Sequence, residues 1–404
     1  MKRPNSPRTI PLPRPPTLRA LGHSKGRTQR RLSKPTNTDS LARRQVAVII
    51  PNGLHDICGV TDYAVGLTNV LALLGCTSRI FAFGSMHRCL RLWARVQAVV
   101  QLFRMRPRLI VINYVQFGYG TMPVQPFLPF VVFLASMSKH RVLTVWHEPP
   151  ELGSGWVRSV RRLLERGLCR RSDVILLADD RARGALRDWG CRDIRISPIP
   201  SPFEASLYSQ EPPSRVRDGV LLFGMGGRGV SKGFSPSVTG EVLTILRDAV
   251  PTIELLGIGP NWSEFPVRGM TDLGPAGEPE LRRIASRVAG ALFPVESPIT
   301  PKSSSVSAML TLGIPVVATG HASVGCLACD YYGAAIACLP SSVEAAEELG
   351  RLRVDANYRA ERIARGREWY LKTASWSRVA EVLSRPYGNG AVDWLGSGEV
   401  DLFT

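Results

Sequence analysis

Residues 291–319 read ALFPVESPITPKSSSVSAMLTLGIPVVAT, and the order of residue types along them sets the architecture. Residues 291–294 are an apolar run of strand type. A polar loop follows, and a helix opens at about Ser303, where three consecutive serines come after Lys302. The helix stops at Gly313, and Pro315 leads directly into a second apolar strand over 316–319. The start of such a helix carries chemistry of its own. Its first N–H groups have no partner within the helix and together carry about half a positive charge. With Lys302, Ser303 and Ser304 beside them they form a seat suited to a phosphate. Capping of the helix by Ser303 and Ser304 is the plainer use of the same residues.

The same alternation runs outward in both directions. Strands are expected over 46–50, 79–83, 109–115, 141–146, 174–178 and 194–199, with helices over 60–74, 88–104, 123–137, 155–169 and 181–189. A Pro/Ser-rich break at 200–217 is expected to be a linker. Beyond it come strands over 220–223, 253–258, 290–294, 316–319 and 335–339, with helices near 235–249, 279–288, 303–312 and 343–351. Residues 355–384 read as one or two further helices. Short unbroken apolar runs separated by amphipathic helices describe parallel sheets covered on both faces. The expected class is therefore α/β, with two Rossmann-like doubly wound domains facing a central cleft.

Composition narrows the function classes. The chain has 404 residues and a net charge of +18, spread unevenly. Residues 1–44 hold twelve Lys or Arg against one acid, Asp39, and are rich in Pro, Ser and Thr without an apolar period. Such a segment cannot bury enough apolar surface to offset its ordering entropy, so a disordered basic tail is expected. It lacks the apolar core of a secretory signal; a transit peptide, an anchor on an anionic surface and a plain solvated tail stay open. Of eight cysteines, Cys169 and Cys338 sit inside apolar stretches, as reduced thiols of a cytoplasmic protein do. The lone CxxC of Cys326 and Cys329 fits no standard zinc spacing, and no metal is expected. With no apolar run of about 18 residues, no transmembrane helix is expected. The helices at 88–106 and 156–171 are strongly basic. In WVRSVRRLLERGLCRR, Trp156, Val160, Leu163 and Leu164 fall on one stripe expected to pack on a sheet, with Arg158, Arg161, Arg162 and Arg166 elsewhere. A solvated basic face and docking on an anionic membrane surface are the two uses of that pattern.

Four further segments hold candidate ligand residues. Residues 51–75, PNGLHDICGVTDYAVGLTNVLALLG, place Gly59 at the start of the helix after the first strand. Without a side chain there, backbone can approach a ligand closely, and the helix end favours an anion. Residues 109–120, LIVINYVQFGYG, end a strand in an aromatic–Gln loop. Residues 143–148, LTVWHE, deliver His147, beside Glu148, at the C-terminal end of a strand, where ligands of α/β sheets bind. Residues 219–234, GVLLFGMGGRGVSKGF, hold Gly224, Gly226 and Gly229 in G-x-G-x-x-G spacing, together with Arg228 and Lys232. That spacing is a dinucleotide fingerprint in outline. The next strand, TIELLGIG, ends without the acid that would hold a ribose. Two cations in such a loop suit neutralisation of a diphosphate leaving group.

In this order, and over about residues 45–385, these segments resemble the GT-B glycosyltransferases, specifically the large retaining family called group 1 or family 4. The first loop is similar to the family's G-G-V-x-x-Y-A-x-x-L, with Cys58 in place of one glycine. Lys232 and Gly233 match the family's K-G, whereas Met225 stands where the family's arginine follows the first glycine, and the arginine here is Arg228. Counting back from Gly313, the positions of the family's two glutamates hold Thr300 and Ala308; Glu296 is the nearest acid, and KSSSVSAML looks like a serine-rich branch. Residues 365–378, with Trp369 and Trp376, resemble the C-terminal helix that crosses back to the first domain, its tryptophans expected in packing.

The resemblance implies a GT-B chain divided into the tail 1–44, a Rossmann-like acceptor domain 45–200, a linker 201–217, a donor domain 218–360, a returning helix 361–385 and a second tail 386–404. It implies transfer of a sugar from a nucleotide diphosphate sugar, with retention and without a metal or other cofactor. The acceptor would be a glycan or lipid-linked glycan of polysaccharide or glycolipid synthesis. The place would be the cytoplasm or the inner face of the plasma membrane, with no specific nucleic acid as partner. His147 and Glu296 would lie near the reacting sugar. Gly59, Gly224, Arg228, Lys232, Lys302, Ser303 and Ser304 would hold the donor. Two other readings stay open: an NAD-dependent oxidoreductase using GMGGRG, and a non-catalytic binding protein.

Overall fold

A computed structural model describes residues 45–51, 59–82, 97, 99–102, 104–115, 140–147, 156–204, 207, 217–224, 234–264, 267–295, 299–319 and 331–385. The basic tail 1–44, the helix expected at 123–137, most of the one expected at 88–104, the CxxC and the tail 386–404 lie outside the described residues. So do most of the linker and the candidates Glu148, Arg228, Lys232 and Glu296.

The first sheet has the order β2-β1-β3-β4-β5-β6, every neighbouring pair parallel. Its strands are β1 (Gln45–Ile50), β2 (Thr77–Ala82), β3 (Leu109–Tyr114), β4 (Arg141–Trp146), β5 (Val174–Leu177) and β6 (Ile194–Ile196). Helix α1 (Gly59–Leu73) joins β1 to β2, α2 (Trp156–Arg171) joins β4 to β5, and α3 (Arg183–Asp188) joins β5 to β6. Alternate residues of β1 feed two cores. Val46, Val48 and Ile50 pack with Tyr63, Leu67 and Leu71 of α1. Ala47 and Ile49 pack with Leu168 and Cys169 of α2 and Leu186 of α3.

The second sheet repeats the plan in the order β12-β11-β10-β7-β8-β9, again parallel throughout. It comprises β7 (Gly219–Phe223), β8 (Glu254–Ile258), β9 (Met270–Asp272), β10 (Val288–Pro294), β11 (Val316–Thr319) and β12 (Ile336–Leu339). Its helices are α4 (Pro236–Ala249), α5 (Glu278–Ala285), α6 (Ser304–Leu312) and α7 (Ser342–Val354). Two more follow, α8 (Ala356–Thr373) and α9 (Trp376–Ser384). β9 was not expected from the sequence; at three residues, with two of them exposed, it has too few apolar positions to announce itself. β10 starts two residues before its expected position, because α5 stops at Ala285 and Val288 and Ala289 are fully buried in the sheet.

The burial of α2 follows the expected stripe only in part: Leu164 packs on the core, but Val160 and Leu163 do not. The wall facing the sheet holds Arg161 and Glu165, 6% and 1% exposed, beside Leu168 and Cys169, while Leu163 is 68% exposed. Glu165 is drawn inward by Tyr114, whose hydroxyl donates to its Oε1 at 2.5 Å.

The last helix belongs to the first sheet. Val379, Ala380, Val382 and Leu383 of α9 join the core formed by α1 and β1. Trp376 lies so close over Gly66 that a Cβ there would be 1.9 Å from its ring. The crossing is pinned to the chain segment after β6. The indole N–H of Trp376 donates to the Ser201 carbonyl at 3.1 Å, and the Glu204 carboxylate accepts from both Tyr370 Oη (2.7 Å) and the Trp376 backbone N–H (2.8 Å). Trp369 is buried against Tyr331, so both tryptophans do packing work.

Candidate functional site

In each sheet the chain leaves the first strand in one direction and returns on its other side, which opens a crevice at the carboxyl ends of those two strands. The switch falls between β1 and β3 in one sheet and between β7 and β10 in the other. Gly59 opens the helix after β1, Gly224 directly follows β7, and α6 follows β10. Three sequence candidates therefore start from switch points.

The two crevices meet. A Cβ built on Gly59 would lie 2.9 Å from Ser304 Oγ, so the N-terminus of α1 abuts the N-terminus of α6 from the other sheet. Ser303 is the N-cap of α6, its hydroxyl accepting from the Val306 N–H at 3.3 Å, while Ser304 is the first helical residue. Of the two serines, one is thus committed to capping and the other faces Gly59. Gly224 sits on the same side. It adopts φ +128°, and a Cβ on it would lie 3.4 Å from Ser305 Oγ. Its carbonyl accepts from Trp262 Nε1 at 3.1 Å and passes so close to Gly259 (φ +127°) that a Cβ on that residue would be 1.8 Å away. A side chain at Gly259 is opposed by both backbone angle and space, and one at Gly224 by backbone angle alone.

His147 follows β4 and shares a pocket with Lys302, the residue before the α6 cap. Trp146, Leu177, Ala178, Asp179 and Ala182 complete its lining, so the walls come from the ends of β4 and β5 and from the second sheet. Burial, reinforced by the Lys302 ammonium, pushes the imidazole pKa down to about 4. His147 is therefore neutral at neutral pH. Its Nε2 lies 3.2 Å from Asn113 Oδ1, and the Asn113 amide is itself oriented by donating from Nδ2 to the Ile49 carbonyl at 3.2 Å. An acceptor at Nε2 fixes the proton there, which leaves the lone pair on Nδ1. Tyr63 packs edge-on against the same ring, with centroids 5.3 Å apart.

The structure thus brings Gly59, Gly224, His147, Lys302, Ser303 and Ser304 to one seam; Arg228, Lys232 and Glu296 lie outside the described residues. Asn113 and Thr61 were not put forward from the sequence, and Thr300 entered only as the residue at a glutamate position of the resembling family. Asn113 is fully buried. Thr61, in the first turn of α1, and Thr300, just ahead of the α6 cap, are 4% and 5% exposed, and neither Oγ1 has a hydrogen-bond partner. An unpaired buried hydroxyl costs about 1–3 kcal/mol and calls for an explanation.

No family model and no curated protein sequence matches the chain. Solved structures do match. The crystal structure of WaaG, a glycosyltransferase involved in lipopolysaccharide biosynthesis, aligns at TM-score 0.57 and 13% identity over 85% of this chain and 100% of that one. A glycosyltransferase from Rickettsia africae aligns at TM-score 0.59 and 9% identity over 84% and 96%. HepE from Anabaena, solved in complex with UDP, aligns at TM-score 0.54 and 14% identity over 84% and 97%. The chain has the GT-B fold. At these identities the likeness establishes architecture, and the two parallel six-stranded sheets are its two halves.

Proposed function

We propose that the protein is a glycosyltransferase that moves a sugar from a nucleoside diphosphate sugar to a glycan or lipid-linked glycan acceptor, with retention, at the cytoplasmic side of a membrane. The observation that carries this reading is the meeting of two helix N-termini, one from each half, at Gly59 and Ser304. Transfer breaks the bond between the anomeric carbon and the diphosphate oxygen, and the negative charge that develops on the leaving group must be met by positive ends and donors. The N–H groups opening α1 and α6, with Lys302 beside them, supply that character. The unpaired hydroxyls of Thr61 and Thr300 are suited to phosphate or sugar oxygens, which would complete them. His147, neutral and with an open Nδ1 lone pair, suits a sugar hydroxyl as donor. Arg228 and Lys232 would add charge to the diphosphate. Glu296 would lie near the reacting sugar. No metal is assigned a role. The presence of a UDP complex among similar folds supports a nucleotide donor. An oxidoreductase reading gains nothing from the fold matches, and β8 ends at Ile258, followed by Gly259, with no acid there to hold a ribose.

A thermal-shift panel of UDP, GDP, ADP and dTDP on the full chain tests the assignment. A ligand present at 100 times its Kd stabilises by about 2.7 kcal/mol. One nucleotide is expected to raise the melting temperature of wild type and to do so less for Lys302→Ala. Absence of a shift with all four, or an identical shift in both proteins, overturns the donor site.

A further inference from the structure

The pocket beside His147 is walled on one side by the ends of β4 and β5, whose last residues, Trp146 and Leu177, pair across the sheet. Two of its lining residues have no use in the donor site. The indole of Trp146 is 2% exposed and fixed against Tyr114, with ring centroids 4.5 Å apart, yet its Nε1–H has no hydrogen-bond partner. A buried donor left in this way costs stability and calls for an acceptor. Asp179, just past β5, is held by its own loop. Its Oδ1 accepts from the Arg181 N–H at 3.1 Å, and its Oδ2 accepts from the Arg181 guanidinium at 3.2 and 2.8 Å. A carboxylate offers about four lone-pair sites, so Asp179 keeps acceptor capacity towards the pocket.

These two groups add to the Nδ1 lone pair of His147 and the ammonium of Lys302, within small apolar walls at Ala178 and Ala182. A carboxylate or phosphate entering the pocket would meet Asp179, and an ammonium would meet Lys302. A purely apolar group would leave the indole N–H unpaired. Hydroxyls both donate and accept, so they alone satisfy every wall. Both sets of groups line one pocket, so two hydroxyls that fill it sit on neighbouring carbons. We propose that the pocket recognises an adjacent pair of hydroxyls on an uncharged sugar ring of the acceptor, one bonded to Trp146 Nε1–H and Asp179, the other to His147 and Lys302. Its place on the acceptor side rests on the glycosyl-transfer reading, in which the diphosphate lies at Gly59 and Ser304; the preference for uncharged hydroxyls rests on the pocket alone.

Saturation-transfer NMR on the full chain tests it, with methyl β-glucoside and methyl β-galactoside as probes, together with their single-position deoxy and amino derivatives. At least one parent glycoside is expected to bind. Deoxygenation at two adjacent ring positions should weaken it about fivefold each, and an amino group at either position about tenfold. Trp146→Phe and Asp179→Ala should each weaken the parent about fivefold. Neither should further weaken the deoxy derivative that lacks the hydroxyl they hold, an outcome that mere loss of packing would not give. Circular dichroism checks folding, and if Trp146→Phe fails to fold, Asp179→Ala decides. Absence of binding by both glycosides, losses at no adjacent pair of positions, or amino derivatives that bind as well as the parents overturn the proposal. So do substitutions that weaken parent and deoxy probes alike. The readout needs no nucleotide, so glycoside binding without any nucleotide-induced thermal shift removes the donor site and keeps the pocket, and the reverse result removes the pocket alone.

Discussion

Asn113 interrupts the apolar strand LIVINY, and a wholly buried amide needs every bond it makes. It uses Nδ2 on the Ile49 carbonyl and Oδ1 on His147. Asn113→Asp keeps the acceptor and adds a negative charge beside the imidazole, which raises its pKa. The acidic limb of the activity–pH profile should then move upward relative to wild type, a change that a purely structural role would not produce. Asn113→Ala should instead cost about 1–3 kcal/mol of stability by orphaning the Ile49 carbonyl; denaturant melts measure it. His147 also predicts a sign for wild type. Its folded pKa of about 4 lies below the ordinary value of 6.5. Between these limits the unfolded chain binds the proton and the folded chain does not, so stability rises with pH across the window and falls as acid is added. Melting temperatures from pH 7 to pH 4.5 should drop less steeply in His147→Gln. An unchanged slope would remove His147 from the account.

At the scale of elements, the decisive contact is α1 against α6. Gly59→Ala places a methyl 2.9 Å from Ser304 Oγ, and the serine must rotate or the two helix ends must part. The substitution should reduce the nucleotide-induced thermal shift, and Gly59→Val should reduce it further. Adding Ser304→Ala to Gly59→Ala removes the obstructing oxygen and should restore much of the shift. Failure of that rescue would mean that the two helix ends do not meet in solution. Most elements were legible from period and punctuation: the Ser303 cap and the Gly313 stop of α6 stand where the residues announce them. The inner wall of α2 was not legible. WVRSVRRLLERGLCRR offers Leu163 as core by type, and the inward turn of Glu165 depends on Tyr114, 51 residues upstream.

On the scale of the whole molecule, a line of contacts runs from the seam to the crossing between the halves. His147 packs on Tyr63, Tyr63 on Trp376 with centroids 5.5 Å apart, and Trp376 bonds to Ser201. Glu204 ties that crossing to Tyr370 and to the first turn of α9. Glu204→Ala leaves both donors without this acceptor and should cost about 1–3 kcal/mol. Hydrogen exchange should quicken at the opening amides of α9 ahead of those of β1 or β7. Uniform quickening would indicate global destabilisation and count against a local latch.

Local residue patterns were enough for the alternation of strands and helices, the two α/β halves and the glycine and serines that open α1 and α6, because these follow from period, capping and backbone freedom. Folding settled that Gly59 meets Ser304, that Asn113 orients His147, and which side of α2 is exposed. Each of those is a contact between residues far apart in the chain, and local residue patterns carry no term for the partner that folding brings.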